Sequence, residues 1–211
     1  MAEINIDPKK YERIIQAALK QFAKQGYQRA NTEDIAIAAG VSKGLVFHYF
    51  GNKQKLYERT ISYVIDCLNE QSKELFEKEY ADLVEVVVAS TQHKLNLERT
   101  FPDHIHLLIA SYAQKKMLPD KIQVKLDHYM AENMAIAQQL LTKIINKLPL
   151  KKNISREDVV RLVLGVFNQI YLESLTFLEE NQQVTEIHQM QFLVERSQSY
   201  MNILQAGFLE Q

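Results

Sequence analysis

The sequence predicts an all-α protein. Apolar residues recur at spacings of three and four along most of the chain, which is the repeat of a helix with one buried face. Only six Gly and four Pro interrupt 211 residues, and the alternation typical of strands is scarce. We therefore expect about nine helices. The first apolar stripe consists of Tyr11, Ile14, Ile15, Ala18, Leu19 and Phe22.

Capping signals mark the start and end of the first three predicted helices. Asp7 precedes Pro8 at the first helix, either Asn31 or Thr32 caps the second, and Ser42 caps the third. Gly residues stand where the first three helices are expected to stop. The predicted helices are 8–26, 32–40, 43–51 and 53–79.

The rest of the chain repeats the same helical periodicity. Pro102 and Pro119 are placed as first-turn prolines, and Pro149 as a terminator. The composition changes near residue 53, inside what reads as continuous helix. We therefore expect two domains without a flexible linker, 1–52 and 53–211. The remaining predicted helices are 82–98, 102–116, 119–148, 155–180 and 185–208.

Charged residues are distributed unevenly between the start of the chain and the rest of it. Residues 1–60 contain ten Lys and Arg against six Asp and Glu, and residues 61–211 contain fifteen against twenty. A basic head on an acidic body is typical of a DNA-contacting module joined to a domain that does not bind DNA.

Several classes of protein are disfavoured by what the sequence lacks. Cys67 is the single cysteine, which favours a reducing compartment. No signal segment and no apolar run near 18 residues is present, so a cytoplasmic protein without a membrane partner is expected. We find no phosphate loop, nucleophile elbow or metal-ligand spacing, and we expect no enzyme activity, no cofactor and no metal.

The segment from Asn31 to Phe50, NTEDIAIAAGVSKGLVFHYF, predicts a helix-turn-helix. In this unit two short helices flank a tight turn, and the second helix enters the DNA major groove, which is about 12 Å wide. Val46 and Phe50 lie four apart, so we assign them to the core. The residues expected at the groove are Lys43, Gly44, Leu45, Phe47 and His48.

Chemistry suggests a role for each of these positions. Lys43, at the helix start, is suited to donate to guanine O6 or N7, and Gly44 allows close approach of backbone and DNA. Leu45 or Phe47 is suited to pack on a thymine methyl, and His48 to hydrogen-bond. Thr32 and Lys53 are placed to contact phosphates, and Tyr49 is suited to hydrogen-bond to a phosphate or a base.

Residues 8–55 resemble the TetR family of bacterial transcriptional repressors. The resemblance rests on FAKQGYQRAN followed by TEDIAIAAGVSKGLVFHYFGNKQKL. It implies a three-helix DNA-binding domain, a long fourth helix, and a helical domain that dimerises and encloses a small-molecule pocket. By position it places Lys43 and Gly44 at bases. Leu45 and Phe47 depart from the family, which often has a small or hydroxyl residue and a Tyr there.

The last two helices predict a dimer interface. Helix 155–180 is apolar on nearly every side, so it is expected to be buried all round, and it would form a four-helix interface with the final helix and their symmetry mates. The predicted interface residues are Leu162, Val166, Phe167, Ile170, Met190, Leu193, Met201 and Leu204.

The effector pocket is expected among helices between residues 82 and 148, because ligands occupy apolar cavities between helices. Polar side chains in that region are the candidates for contact with the ligand. They are His93, His106, Tyr112, His128 and Tyr129.

These observations predict a homodimeric repressor that binds a pseudo-palindromic operator in double-stranded DNA and is released by a small-molecule effector. An alternative remains open: a helical small-molecule or partner-binding protein whose helix-turn-helix no longer reads DNA. The departures at Leu45 and Phe47 support this alternative.

Overall fold

The computed structural model describes residues 6–209. Within that range the chain forms nine α-helices, which confirms the all-α prediction. In chain order, α1 to α9 are Pro8–Arg29, Thr32–Ala39, Lys43–Phe50, Lys53–Glu77, Leu83–Thr100, Pro102–Ala113, Asp120–Lys147, Arg156–Glu180 and Gln191–Phe208. Short 3₁₀ turns at Lys115–Met117 and Ile187–Met190 precede α7 and α9.

Side-chain caps begin the predicted helices for the expected reason. The Asp7 carboxylate accepts from the backbone N–H groups of Lys9 and Lys10. Asn31, rather than Thr32, caps α2, and the Ser42 hydroxyl caps α3. Each cap satisfies a backbone donor that has no partner within its own helix.

Gly40 closes α2 in the left-handed conformation, with φ 63°. Its N–H donates to Ile37 O, and the Val41 N–H donates to Ala36 O, both at 3.0 Å, which is the Schellman pattern. A side chain at this φ is strained, so glycine sets the angle between α2 and α3. Gly26 also has positive φ, at 69°, but one further helical turn follows it to Arg29.

Among the predicted boundaries that differ from the structure, three lie beside the 3₁₀ turns. Helix α6 ends at Ala113 rather than 116, because the chain tightens into the 3₁₀ turn. Pro119 is the N-cap of α7 rather than a first-turn residue. The last helix begins at Gln191 rather than 185, because 187–190 forms the second 3₁₀ turn.

The first three helices and α4 close around one apolar core. Val46 and Phe50 of α3 are 1% and 5% exposed, which confirms their assignment to the inner face. The Phe50 ring stacks on Tyr11 of α1 at 5.0 Å between centroids. Buried Phe22 meets the Tyr57 ring edge-on at 4.7 Å. Helix α3 is therefore anchored to this core by its buried side chains.

This core continues beyond the predicted domain boundary. It includes Leu107 and Leu126 of the body, and α1 packs directly against α6. The Tyr57 hydroxyl lies 2.8 Å from the Ser111 hydroxyl. Since Ser111 donates to Leu107 O, Tyr57 is the donor in this pair. The division at 52–53 remains a prediction, but head and body share buried contacts.

A second apolar cluster fills the far end of the body. Its fully buried members include Leu83, Ile145, Val163 and Met201. The two clusters are separate groups of contacts. The body therefore has two apolar ends with a less tightly packed middle.

Candidate functional site

The outer face of α3 is open. Lys43, Gly44, Phe47 and His48 are exposed, while Leu45 is half-buried. Phe47 has 37% of its surface exposed although it is a large apolar side chain. This face therefore presents a cation, a backbone without a side chain, and two rings on one surface of a short, capped helix.

Lys43 has a partner within the chain. Its ammonium lies 3.1 Å from the Glu33 carboxylate of α2, and both side chains are about half exposed. Exposed ion pairs of this kind are worth about 0–1 kcal/mol. The pair holds Lys43 at the start of α3 and can be exchanged for a base edge at small cost.

Gly44 is not required by the packing of the chain itself. A Cβ built at this position would meet only the Ser42 hydroxyl oxygen, at 3.9 Å, and its φ lies outside the positive region. An alanine would fit here in the free protein. The absence of a side chain thus favours an external partner that approaches the backbone closely.

Tyr49 and Lys53 are engaged with neighbouring helices. The Tyr49 hydroxyl accepts a hydrogen bond from the Asp7 N–H at 3.0 Å, which ties α3 to the start of α1. The Lys53 ammonium donates to Gln28 O at 3.0 Å and lies 5.1 Å from the Tyr27 ring centroid. Partial burial lowers the pKa of Lys53.

These contacts bear on the predicted phosphate ligands. The Tyr49 hydroxyl keeps its own hydrogen free for an acceptor. Thr32 is 8% exposed, so it has less freedom to reach a phosphate than an exposed side chain. The DNA contacts of Thr32, Tyr49 and Lys53, like those of α3, remain predictions.

Three of the candidate effector ligands lie inside the body. His93 is half-buried, with Nε2 3.0 Å from the Ser72 hydroxyl, and burial, followed by the charge of Lys94, lowers its pKa. Tyr112 is buried and donates to Leu126 O at 3.0 Å. Tyr129 is half-buried, and desolvation raises its pKa.

The other two candidates lie elsewhere. The His128 side chain is 73% exposed and pairs with Glu132 one turn away at 3.2 Å, which does not favour its predicted contact with the effector. His106 is half-buried and faces Glu186 at 3.8 Å, beside the second 3₁₀ turn. It therefore belongs to the junction of α6 with that turn.

The sequence analysis did not single out Tyr171, which is half-buried on α8. Burial raises its pKa, and it is close enough to Tyr112 to influence the pKa of that residue.

The last two helices leave apolar surface uncovered. Leu162 and Leu172 of α8 are 52% and 48% exposed, and Ile203 of α9 is 66% exposed. An apolar groove of about 330 Å³ is lined by residues that include Leu162, Ile203 and Leu204. No side chain comes within 4 Å of a Cβ built at Gly165.

Two predicted interface residues are already buried within the chain itself. Met201 is 0% exposed and Leu193 is 7% exposed, so neither has surface to offer a partner, and we reassign both to the intrachain core. The intermediate residues still carry part of their surface outside. They are Val166, Phe167, Ile170, Met190 and Leu204.

Among residues 6–209, no helix is long and apolar enough to cross a membrane. Within the same described range, no group of three or more His, Cys, Asp or Glu stands in an arrangement suited to a metal ion.

Comparison with known proteins agrees with the geometry of the head. Residues 14–60 match the family of bacterial regulatory proteins described as the tetR family. Over 164 residues the chain is 24% identical to the fatty acid metabolism regulator protein of Bacillus subtilis strain 168, covering 76% of this chain and 80% of that protein.

Two solved structures show the same fold across nearly the whole chain. The transcriptional regulator FadR from Bacillus subtilis in complex with stearoyl-CoA has a TM-score of 0.59 at 20% identity, covering 92% of this chain and 97% of that one. A transcriptional regulator from Saccharomonospora viridis in complex with choline has a TM-score of 0.62 at 15% identity, covering 95% and 97%.

The helix-turn-helix head, residues 14–60, belongs to the tetR family of bacterial regulatory proteins, as the matched family model shows, and the whole chain shares the fold of the similar structures. The matched family and the similar structures are regulators rather than enzymes. They support the DNA-binding interpretation over the alternative of a binding protein with a degenerate helix-turn-helix.

Proposed function

We propose that this protein is a homodimeric repressor that binds a pseudo-palindromic operator and is released from it by a small molecule. The observation that carries the proposal is the open face of α3. Lys43, Gly44 and Phe47 lie outside, and Val46 and Phe50 anchor the helix from below. A short helix presented in this way fits the major groove.

The exposed apolar surface of α8 and α9 supports the dimer. Leu162, Leu172 and Ile203 lie on these two helices, and apolar surface of this kind on a soluble protein marks an interaction site. The open space at Gly165 permits a second helix to approach closely. A two-fold axis through this face presents two copies of α3, whose half-sites lie about 34–36 Å apart or a multiple of this distance.

Contacts between α6 and the head provide a route from ligand to DNA. The Tyr57 hydroxyl reaches Ser111 of α6, and the Gln28 side chain donates to Met117 O just beyond it, at 3.3 Å. A Cβ at Gly26 of α1 would lie 3.3 Å from the Gln114 side chain. A ligand that moves α6 therefore moves α1 and, through it, the recognition helix.

The effector is proposed to bind in the body, between its two apolar cores. The ligands of the two similar structures, stearoyl-CoA and choline, differ in charge and size. The class of effector must therefore be argued from the residues of this body. We further propose that the protein acts in the cytoplasm, where it meets DNA, and catalyses no reaction.

Fluorescence anisotropy with an operator selected from genomic fragments tests the proposal. Lys43→Ala is expected to weaken operator binding by roughly 1–3 kcal/mol and to relax preference at one base position. Binding of the parent protein is expected to weaken steeply as salt concentration rises, because phosphate contacts release counterions.

Lys73→Ala is the matched control. Lys73 is an exposed lysine of α4 that pairs with Glu70 at 2.5 Å, far along that helix from the head. It is expected to leave operator affinity unchanged. Equal affinity of the parent and Lys43→Ala proteins, or a flat response to salt, would contradict the proposed role of α3.

A further inference from the structure

One buried histidine lies where α6 begins. Among residues 6–209, His104 is the one histidine that is buried, with 9% of its surface exposed. Its ring packs against Tyr63 of α4 at 5.7 Å between centroids, and edge-on against Phe101 at 5.4 Å. Its Nε2 atom is buried and has no hydrogen-bond partner within the described residues. Because buried polar atoms are usually paired, this atom sets the site apart.

The surroundings of His104 favour the uncharged imidazole. His104 is the third residue of α6, and the start of a helix carries a partial positive charge that repels a cation. Aromatic rings attract a cation, but this attraction is smaller than the cost of burying a charge that has no partner. Burial accordingly lowers the pKa of His104, while the neighbouring Asp103 carboxylate raises it by a smaller amount.

Three other histidines of the body have acidic partners instead. The imidazoles of His106, His128 and His188 lie 3.8, 3.2 and 3.3 Å from glutamate carboxylates. Protonation strengthens pairs of this kind. Burial lowers the pKa of His93 too, but the Nε2 of His93 is hydrogen-bonded. His104 thus combines burial with an unpaired ring nitrogen, and acid is expected to disturb its packing.

Few ionisable groups face His104. Asp103 precedes it on α6, and the phenol of Tyr63 faces it from α4. Helices α1, α5 and α8 also pack against α6. In the part of the chain from 6 to 209, none of their carboxylates forms an ion pair with His104, in contrast to the pairs of the other histidines. A proton added to His104 therefore stays uncompensated.

The site of His104 joins the body to the head. The Tyr63 hydroxyl accepts a hydrogen bond from Gln16 Nε2 of α1 at 2.7 Å, so the ring that packs on His104 is held by the first helix of the head. Helix α6 also contacts α1 directly, and its Ser111 hydroxyl bonds the Tyr57 hydroxyl. Packing of α6 on α4 at His104 is therefore connected to the position of the head.

We propose that His104 makes operator binding sensitive to acid, because protonation of its imidazole displaces the first turn of α6 from Tyr63 and Phe101 and so shifts the head. This inference rests on the proposed function of the head in binding DNA. The chain with this junction opened binds the proton more tightly than the closed fold. The closed junction is therefore fully stable above about pH 6.5, the ordinary histidine value, and loses stability as pH falls below it.

Operator affinity at two pH values tests the inference. Fluorescence anisotropy is measured at about pH 7.5 and about pH 5.5, at constant ionic strength, on the parent protein and on His104→Gln, which cannot be protonated. The parent is expected to lose at least about threefold more affinity than His104→Gln between these values. His128→Gln is the control, since the His128 side chain is 73% exposed, and it is expected to follow the parent. Equal losses by the parent and His104→Gln overturn the inference.

A titration of the parent protein by NMR requires no substitution at His104. The ring proton resonances of His104 are expected to titrate with a midpoint below about 6.5 and below the midpoint of His128. The Tyr63 ring resonances are expected to shift with the same midpoint, because the two rings are in contact. A midpoint of His104 at or above that of His128, or Tyr63 resonances that do not respond, would overturn the inference.

The two measurements separate this inference from the proposed function. If the parent protein binds no operator at either pH, the proposed function fails, whereas the NMR titration, which uses no DNA, still decides whether His104 and Tyr63 respond to acid together. If the parent binds its operator and His104→Gln loses affinity in parallel with it, the role of His104 alone fails.

Discussion

The head and the middle of the body are packed differently. In the head, Ile14, Phe22 and Ile35 are 0% exposed, and side-chain caps open each of the three helices. In the middle of the body, Asn133 and Ile170 remain half-buried and Lys94 is exposed. The head is closed around its core, whereas the middle of the body keeps side chains that the chain does not fully bury.

The largest expected effect tests the packing difference itself. Phe22→Ala in the head is expected to lower the free energy of unfolding by about 3–5 kcal/mol, because it empties a fully buried site. Ile170→Ala in the body is expected to lower it by only about 1 kcal/mol, since its side chain is already partly solvated. Urea denaturation of both variants measures this. Similar losses would show that the middle of the body is as tightly packed as the head.

The second-largest expected effect concerns the exposed apolar surface of α8 and α9, where the dimer interface is proposed. Leu162→Asp combined with Ile203→Asp places charges on the exposed surface of α8 and α9, and a monomer is expected by sedimentation velocity. Operator affinity is expected to fall by about 100-fold or more, because the second half-site no longer adds to the first. Val124→Asp is the control, since Val124 of α7 is equally apolar and 66% exposed. A dimeric double variant would place the interface elsewhere.

Much of the head was predictable because its signals are local. The caps at Asp7 and Ser42 and the turn at Gly40 depend on residues within a few positions of one another. Val46 and Phe50 are confirmed as core for the same reason: on an eight-residue helix, spacing alone separates the two faces.

Assignments in the body required tertiary information. Met201 was predicted at the dimer interface and is buried within its own chain, because periodicity does not tell whether the chain or its partner buries a residue. His128 was chosen by its region rather than by its face.

Gly44→Ala separates folding from DNA binding in the head. The structure has room for the methyl group, and the free energy of unfolding is expected to rise by up to about 0.5–1 kcal/mol, as for glycine replacement within helices. Operator affinity is expected to fall about tenfold, or about 1.4 kcal/mol, because the methyl group enters the space of the base edges. Thermal unfolding and anisotropy report the two effects. Operator binding equal to that of the parent would mean that this part of α3 does not approach DNA.

The structure of the dimer on its operator tests the central claim most directly. We expect α3 of each protomer to lie in a major groove, with the two half-sites about 34–36 Å apart or a multiple of it, and the Lys43 ammonium to exchange Glu33 for a base edge. A complex in which α3 lies away from the duplex, with the pair between Lys43 and Glu33 intact, would contradict the account.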